Sequence, residues 1–297
     1  MDVSIIIVNY NTSSLLINCL NSVFCYTEGI NIEVIIVDNG SSDESLSLIN
    51  EKFGEKIILL ALGKNVGFSR ANNEGVKISK GRNIFFLNPD TMLLNNAIKK
   101  LSDYLDKNSD VGAIGGNLFN IDLKPIHSFK RFFPSVFWEF NELFCGYPEK
   151  IVYGQNSQFN NSNNPLDVAF ITGADLMIPR WVFDLTGGFE PIFFMYFEEA
   201  DLEKRIAALQ LRRVCLPSAK IIHLEGGSFT KTDERMEIYL KGRKLYLKIN
   251  SNKFINFLCN SIFYIKIYSR ILFFGILFNK PKLIYWIKLK KLFNHNH

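Results

Sequence analysis

Three carboxylates, Glu198, Glu199 and Asp201, follow directly on the run Phe193-Phe194-Met195-Tyr196-Phe197. A carboxylate held against an apolar wall has its pKa raised toward the range useful to a general base. Acids also favour the first turn of a helix, where they meet the positive end of its dipole. Glu198 and Glu199 therefore fit either role, and Asp201 serves at least partly the second. A fourth carboxylate, Asp90, closes Asn88-Pro89-Asp90 just after the apolar segment Ile84-Phe85-Phe86-Leu87. Mg2+ or Mn2+ takes oxygen ligands, commonly one or two carboxylates together with substrate phosphates. Asp90 alone is a thin metal site and calls for a second ligand. His223, ending Lys220-Ile221-Ile222 beside Gly226-Gly227, is the candidate; read alone it is equally an ordinary hydrogen-bonded surface histidine.

Two further clusters could receive a nucleotide. Asp38, just past Val34-Ile35-Ile36-Val37, could accept from a ribose hydroxyl or a base N–H, yet Asp38-Asn39-Gly40 is also strong turn chemistry. Asn9 and Tyr10 carry the same ambiguity, Tyr10 either stacking on a base or merely packing. In the segment from Asn65 to Asn73, Gly67 permits close backbone approach and the following helix start offers free N–H groups suited to phosphate. Arg70 adds a charge fit for a diphosphate. The same segment also reads as a capped helix with an exposed arginine.

The elements that position these groups alternate. Val3 to Val8, Val34 to Val37, Ile57 to Leu62 and Ile84 to Leu87 read as strands; Thr12 to Phe24 and Phe68 to Ser79 read as helices. A further helix starts near Ser42 or Asp43. That alternation predicts an α/β fold, a mostly parallel Rossmann-like sheet with helices on both faces. Ligands of such sheets sit beyond the carboxyl ends of the strands, where Asn9–Asn11, Asp38–Asp43 and Asn88–Asp90 all fall. Between Pro125 and Pro165 periodicity is weak, which suggests an insertion shaping the acceptor side. Regular structure resumes from Val168 to Pro179 and Trp181 to Leu185, with a helix from about Glu199 to Leu209, a late strand at Ile221 to His223, and helix beyond residue 235.

Charge is divided unevenly. The whole 297-residue chain carries a net charge of +5. From Lys231 onward, 14 Lys/Arg face 3 Asp/Glu, and no acid follows Glu237. The basic residues there alternate with Phe, Tyr, Ile and Leu, which suits an anionic bilayer surface and argues against nucleic acid as the partner. The five scattered cysteines (Cys19, Cys25, Cys145, Cys215, Cys259) form no C-x-x-C pair and fit a reducing compartment. The N-terminus lacks a basic region and a long apolar run, so no secretory signal is expected.

Together the segments resemble family 2 glycosyltransferases with the GT-A fold, near the rhamnosyltransferase-like group. Five stretches match in order: Val3–Asn11, Val37–Asp43, Asn65–Gly75, Leu87–Thr91 and Ile171–Ser228, the last with Thr172-Gly173-Ala174, Gly187-Gly188-Phe189-Glu190, the acidic run and His223. The resemblance covers roughly residues 3–230. It implies that Asp38 binds the base or ribose with the Asn9 region beside it. Asp90, in the place of the family's D-x-D, holds the metal with His223, and Asn88 faces the ribose or donor sugar. Glu199 matches the second acid of the family's Glu-Asp pair and becomes the general base. Glu198 and Asp201 support it, and Gly173 borders the acceptor. Asn65, Gly67, Arg70 and Asn72 belong to the donor-side segment. Two positions depart from the family pattern: Asn88 replaces the first acid of D-x-D, and Glu199 replaces the usual Asp, displacing the carboxylate by about 1.5 Å.

The implied function is a metal-dependent, inverting transfer from a nucleotide-sugar to a hydroxyl of a glycan or polyprenyl-linked acceptor in cell-surface polysaccharide synthesis. A non-catalytic nucleotide-sugar-binding or membrane-assembly protein is the competing reading. A sugar nucleotidyltransferase would show a Gly-rich loop near Val8–Thr12, and a processive synthase several spanning helices and Q-x-x-R-W; neither is present. Residues 1–235 are expected to form the catalytic domain (donor part about 1–120, acceptor part about 121–235), and 236–297 a helical tail. Residues 254–278 are apolar but interrupted by Asn256, Asn260, Lys266 and Arg270. That pattern favours in-plane membrane contact at the cytoplasmic, inner face over a clean span; a core helix pair or a homodimer through the tail stays open.

Overall fold

The computed structural model describes residues 1–224 and 232–295. Gly226, Gly227, Ser228 and Lys231, noted above, lie outside them. Strand β1 (Val3–Asn9) leads into α1 (Ser13–Tyr26), β2 (Ile32–Asp38) into α2 (Ser45–Phe53), and β3 (Ile58–Ala61) into α3 (Phe68–Ile78). Strand β4 (Asn83–Leu87) is followed by the short β5 (Thr91–Leu93) and α4 (Ala97–Lys107). The middle of the chain forms β6 (Val111–Phe119), β7 (Phe129–Lys130), α5 (Val136–Leu143), α6 (Tyr147–Tyr153), β8 (Leu166–Asp167) and β9 (Phe170–Ile171). Then come β10 (Asp175–Pro179), α7 (Arg180–Thr186), α8 (Glu198–Ala208) and β11 (Arg212–His223), and last α9 (Thr232–Asn250), α10 (Lys253–Ile276) and α11 (Lys280–His295).

The main sheet runs β3-β2-β1-β4-β10-β6-β11-β5, with β8 also paired to β11. Pairs β2–β3, β1–β2, β1–β4 and β6–β11 are parallel, as expected for crossover connections through helices. Strand β10 enters antiparallel between β4 and β6, and β5 and β8 pair antiparallel with β11. The sheet is therefore mixed in its second half. Strand β6 and helix α4 were not read from the sequence. The region from Pro125 to Pro165, expected to be irregular, contains α5 and α6, two helices too short to show a clear apolar period.

Alternation along the central strands explains why the sheet is buried on both faces. Val3, Ile5 and Ile7 of β1 enter one core with α1, α2 and α4, whereas Ile6 and Val8 enter the other with α3, α7 and α8. Phe85 and Leu87 of β4 point to the first core, Ile84 and Phe86 to the second. Each fully buried Ile or Phe contributes about 1.5–3 kcal/mol, so slippage of these strands by one residue is strongly disfavoured. A smaller core, built on Phe170, Phe193, Phe197 and Tyr246, joins α9 to the aromatic run before α8. A fourth packs Met236 and Leu240 of α9 against Phe263 and Ile267 of α10 and Leu289 and Phe293 of α11. The expected division at residue 235 falls within α9. That helix packs directly on the acid-bearing loop, and a Cβ at Gly242 would lie only 2.8 Å from the Tyr196 carbonyl oxygen.

Candidate active site

A cavity of about 350 Å3 opens where β1, β4 and β11 end. Asn88, Pro89 and Asp90 enter it from the end of β4, Thr172, Gly173 and Ala174 from the turn before β10, and Glu198 and Glu199 from the start of α8.

The β5–β11 pairing sets its floor. His223 is in register with Thr91, one residue past Asp90, and the Leu224 N–H donates to the Asp90 carbonyl at 3.0 Å. His223 Nε2 accordingly stands 3.3 Å from Asp90 Oδ1. The turn itself is fixed by the Asn88 N–H donating to the Ala174 carbonyl at 3.0 Å and the Thr91 hydroxyl to the Asn88 carbonyl at 2.7 Å. A carboxylate oxygen and an imidazole nitrogen this close, at a cavity surface, form a donor pair suited to a divalent cation. No group of three or more His, Cys, Asp or Glu that could hold a metal occurs among the described residues. A cation held here would therefore complete its shell with water and ligand oxygens. His127 lies outside the cavity-lining set; burial drives its pKa down to about 3, so it stays neutral.

The acids occupy the N-terminus of α8. Tyr196 and Phe197 just before it adopt φ of 70° and 71°. The left-handed region costs a side-chain-bearing residue about 1–2 kcal/mol, and ring packing of Phe197 on Tyr239 and Tyr246, and of Tyr196 on Tyr239, holds it there. This turn aims Glu198 and Glu199 inward. One oxygen of each, Oε2, is enclosed without a hydrogen-bond partner in the protein. Burial pushes the Glu198 carboxyl far above the usual range, and the neighbouring Glu199 charge adds to the rise. Burial also lifts Glu199, to about 7, although this side chain keeps part of its surface open to the cavity. Burial thus favours the neutral form of both acids, most strongly at Glu198. Deeper still, Glu203 accepts the Ile171 N–H on both oxygens at 2.9 and 3.0 Å, which fixes the segment leading to Gly173.

The donor-side loops are braced by their own polar groups. Asn9 Nδ2 donates to Asp38 Oδ1 at 3.0 Å and to the Ser41 hydroxyl at 2.9 Å, and Asn9 Oδ1 accepts from Thr12 at 2.7 Å. Asp38 Oδ2 accepts the Gly40 and Ser41 N–H groups at 3.2 and 3.1 Å. Both side chains are buried, and neither lines the cavity. Asn65 does line it, and its Oδ1 accepts from Asn39 Nδ2 and the Gly67 N–H. Gly67 has φ 89°, and a Cβ there would lie 2.7 Å from the Phe194 carbonyl oxygen. That close approach lets the Phe68 N–H reach the same oxygen at 2.6 Å and ties the start of α3 to the segment before the acids.

Tyr10, Asn65, Asn88, Asp90, Gly173, Glu198, Glu199 and His223 thus converge on one space. Besides Asn9 and Asp38, four other expected residues lie outside the lining. Arg70 donates to the Pro191 carbonyl at 3.0 Å, and Asn72 to the Phe68 carbonyl at 3.0 Å. Asp201 is held by Arg205 at 2.9 Å and by Asn250 Nδ2 at 2.8 Å, facing α9. Gly67 shapes the wall through Phe194. Among the polar cavity-lining residues that were not singled out from the sequence are Asn39 and Arg235. Asn39 also accepts the Val66 N–H at 2.9 Å, a clasp hidden in what reads as a turn. Arg235 of α9, whose Nε donates to the Tyr196 hydroxyl at 2.9 Å, is the one Lys or Arg lining the cavity among the described residues. Nothing in Asp233-Glu234-Arg235-Met236 distinguishes it from a solvated helix face.

The fold and this site define a class. A structure of GalNAc-T7 with UDP, GalNAc and Mn2+ superposes with TM-score 0.61 at 16% identity, over 84% of this chain and 48% of that one. A mannosyltransferase from Pyrobaculum calidifontis in complex with GDP-Man and Mn2+ gives 0.59 at 15% identity, over 98% and 86%. The fold is GT-A. The sequence model described as glycosyl transferase family 2 matches residues 4–163, and the chain belongs to that family. It is 24% identical over 214 residues to the N-acetylglucosaminyl-diphospho-decaprenol L-rhamnosyltransferase of Mycobacterium tuberculosis, covering 65% of this chain and 66% of that protein's length. To the dTDP-rhamnosyl transferase RfbF of Shigella flexneri it is 26% identical, over 76% of this chain and 70% of the relative.

Proposed function

We propose that the chain transfers a sugar, with inversion, from a nucleoside-diphosphate sugar to a hydroxyl of a lipid-linked glycan, in the manner of a rhamnosyl- or other hexosyltransferase. The observation that carries this reading is the placement of a metal-competent pair, Asp90 with His223, and a raised-pKa acid, Glu199, on the walls of one cavity. The names of the two relatives support the choice of a lipid-linked acceptor and a rhamnosyl-type donor.

Asp90 and His223 would hold Mg2+ or Mn2+. When bound, the cation supplies positive charge that offsets the charge gathering on the departing diphosphate. Tyr10 and Asn65 border the donor, with Asp38 and Asn9 stiffening the loop beneath them, and Asn88 faces the ribose or sugar. Gly173 leaves room for the acceptor opposite Glu199, since a Cβ at this glycine would stand 4.0 Å from the Glu199 Cβ. As the acceptor oxygen bonds to the anomeric carbon, the bond from that carbon to the diphosphate breaks on the opposite face. Glu199 takes the hydroxyl proton, and burial favours the neutral form of Glu198 beside it. Inversion follows from a single displacement. Incubation with a panel of nucleotide-sugars and Mn2+, followed by measurement of released nucleoside diphosphate, tests the reading. Release from at least one donor is expected; binding of a donor with no transfer or hydrolysis under any acceptor condition would leave a non-catalytic binder.

We place the protein in the cytoplasm, on the inner face of the membrane. The five unpaired cysteines and the basic, aromatic helices after α9 support that location.

A further inference from the structure

Helix α10 is the one described helix long and apolar enough to cross a membrane, but its two sides differ. Phe254, Phe257, Ile265, Tyr268, Leu272 and Ile276 recur at helical spacing, and all are exposed, from 48% to 67%. The opposite side is tied to the protein along its length. Asn260 and the Cys259 carbonyl accept from the buried Arg243, whose Nε also meets Glu139 of α5 at 2.7 Å. Further along, Lys266 is buried against Phe263. Near the helix end, Arg270 donates to the Leu143 carbonyl at 2.7 Å and contacts Cys145 Sγ at 2.8 Å. A helix with charged groups fixed along one side and apolar groups along the other lies in an interface and does not cross it.

The Arg270 contacts also position a second apolar element. Phe144 stands between the two residues that Arg270 holds and is 51% exposed. Beyond it, Tyr147 and Ile151 of α6 are exposed at 68% and 73%, and Phe140 of α5 at 43%. An isolated exposed Leu or Phe calls for no explanation, but several on one arm pinned to α10, with the Phe140 and Phe144 rings 4.8 Å apart, do. We infer that the α5–α6 arm and the outer stripe of α10 form one lipid-facing surface, which seats the protein in the plane of an anionic bilayer. The occupant is argued from charge. Lys280, Lys282, Lys290 and Lys291 follow α10 with no acid after Glu237, a complement to anionic headgroups and a mismatch for a second copy of the same basic surface. The inference rests on the proposed membrane location and assigns a second element, outside the tail, to it.

Sedimentation of the full-length protein with phosphatidylcholine vesicles, with and without phosphatidylglycerol, tests this without any sugar donor. Binding to the anionic vesicles is expected, reduced but not abolished by high salt. The arm variant Phe144→Ser/Ile151→Ser should weaken binding about tenfold or more, as should Leu272→Ser/Ile276→Ser on α10. Unchanged circular dichroism and nucleoside diphosphate release would show that the fold and the catalytic reading survive. Wild-type vesicle binding by the folded arm variant would overturn the inference, as would a concentration-dependent dimer that ignores vesicles. Should the serine pair fail to fold, Phe144→Lys alone replaces it, with the same loss expected.

Discussion

His223 Nε2 lies 3.3 Å from Asp90 Oδ1 because His223 ends β11 and Asp90 immediately precedes β5, two strands that pair in antiparallel register. Asp90 itself is nearly enclosed, at 5% exposure. The pair is thus a property of the sheet, not of a mobile loop, and its geometry is present without a ligand. Such preorganisation is what a site needs if charge is to be stabilised without reorganisation during the reaction.

Glu199→Gln removes the proposed base while preserving shape. Turnover is expected to fall by about 10²–10⁴-fold, with donor binding largely kept. The base acts as a carboxylate, so the wild-type rate should rise with pH through about 7, and this limb should vanish in the variant. A pH–rate series on both proteins checks it.

The same group links stability to pH. Its folded-state pKa is raised from 4.5 to about 7, so the folded protein holds the proton more tightly. Its stabilising effect is complete below the unfolded value and is lost as pH climbs through the folded one. Thermal melts should show Glu199→Gln gaining on the wild type as pH rises from about 4.5 to about 7 and keeping that advantage above it.

Asp201 separates structure from chemistry. Its carboxylate binds Arg205 and Asn250 rather than the cavity, so Asp201→Ala should cost about 1.5–3 kcal/mol in urea denaturation. The donor KM should stay near that of the wild type. A large rise in KM with unchanged stability would return this residue to the binding site.

Gly67→Ala tests the close approach at the donor wall. The added Cβ would press on the Phe194 carbonyl oxygen at 2.7 Å in a left-handed backbone, a strain of about 1–3 kcal/mol. Lower thermal stability and a weakened donor KM are expected together.

The first half of the sheet was legible because β1, β2 and β4 are short β-branched or aromatic runs ended by polar turns. Asp90 and His223 stood out as ligating groups at or near strand ends, and Glu199 as an acid directly after an aromatic run. Other features depend on contacts distant in sequence. Antiparallel β10 reads like any buried strand, and its direction is settled only by the chain between β6 and it. Arg235 gains its place through α9 packing on Tyr196, which helical spacing does not reveal. Asn9 and Asp38 are ambiguous by type alone, because a buried loop clasp and nucleotide recognition use the same side-chain chemistry.

Calorimetric titration of UDP, GDP and dTDP into the protein, with and without Mn2+, tests the central claim most directly. At least one nucleotide should bind in a Mn2+-dependent manner, and Asp90→Ala and His223→Ala should each weaken that binding by about tenfold or more without loss of fold. Affinity that is the same with and without Mn2+, and unaltered in both variants, would contradict it.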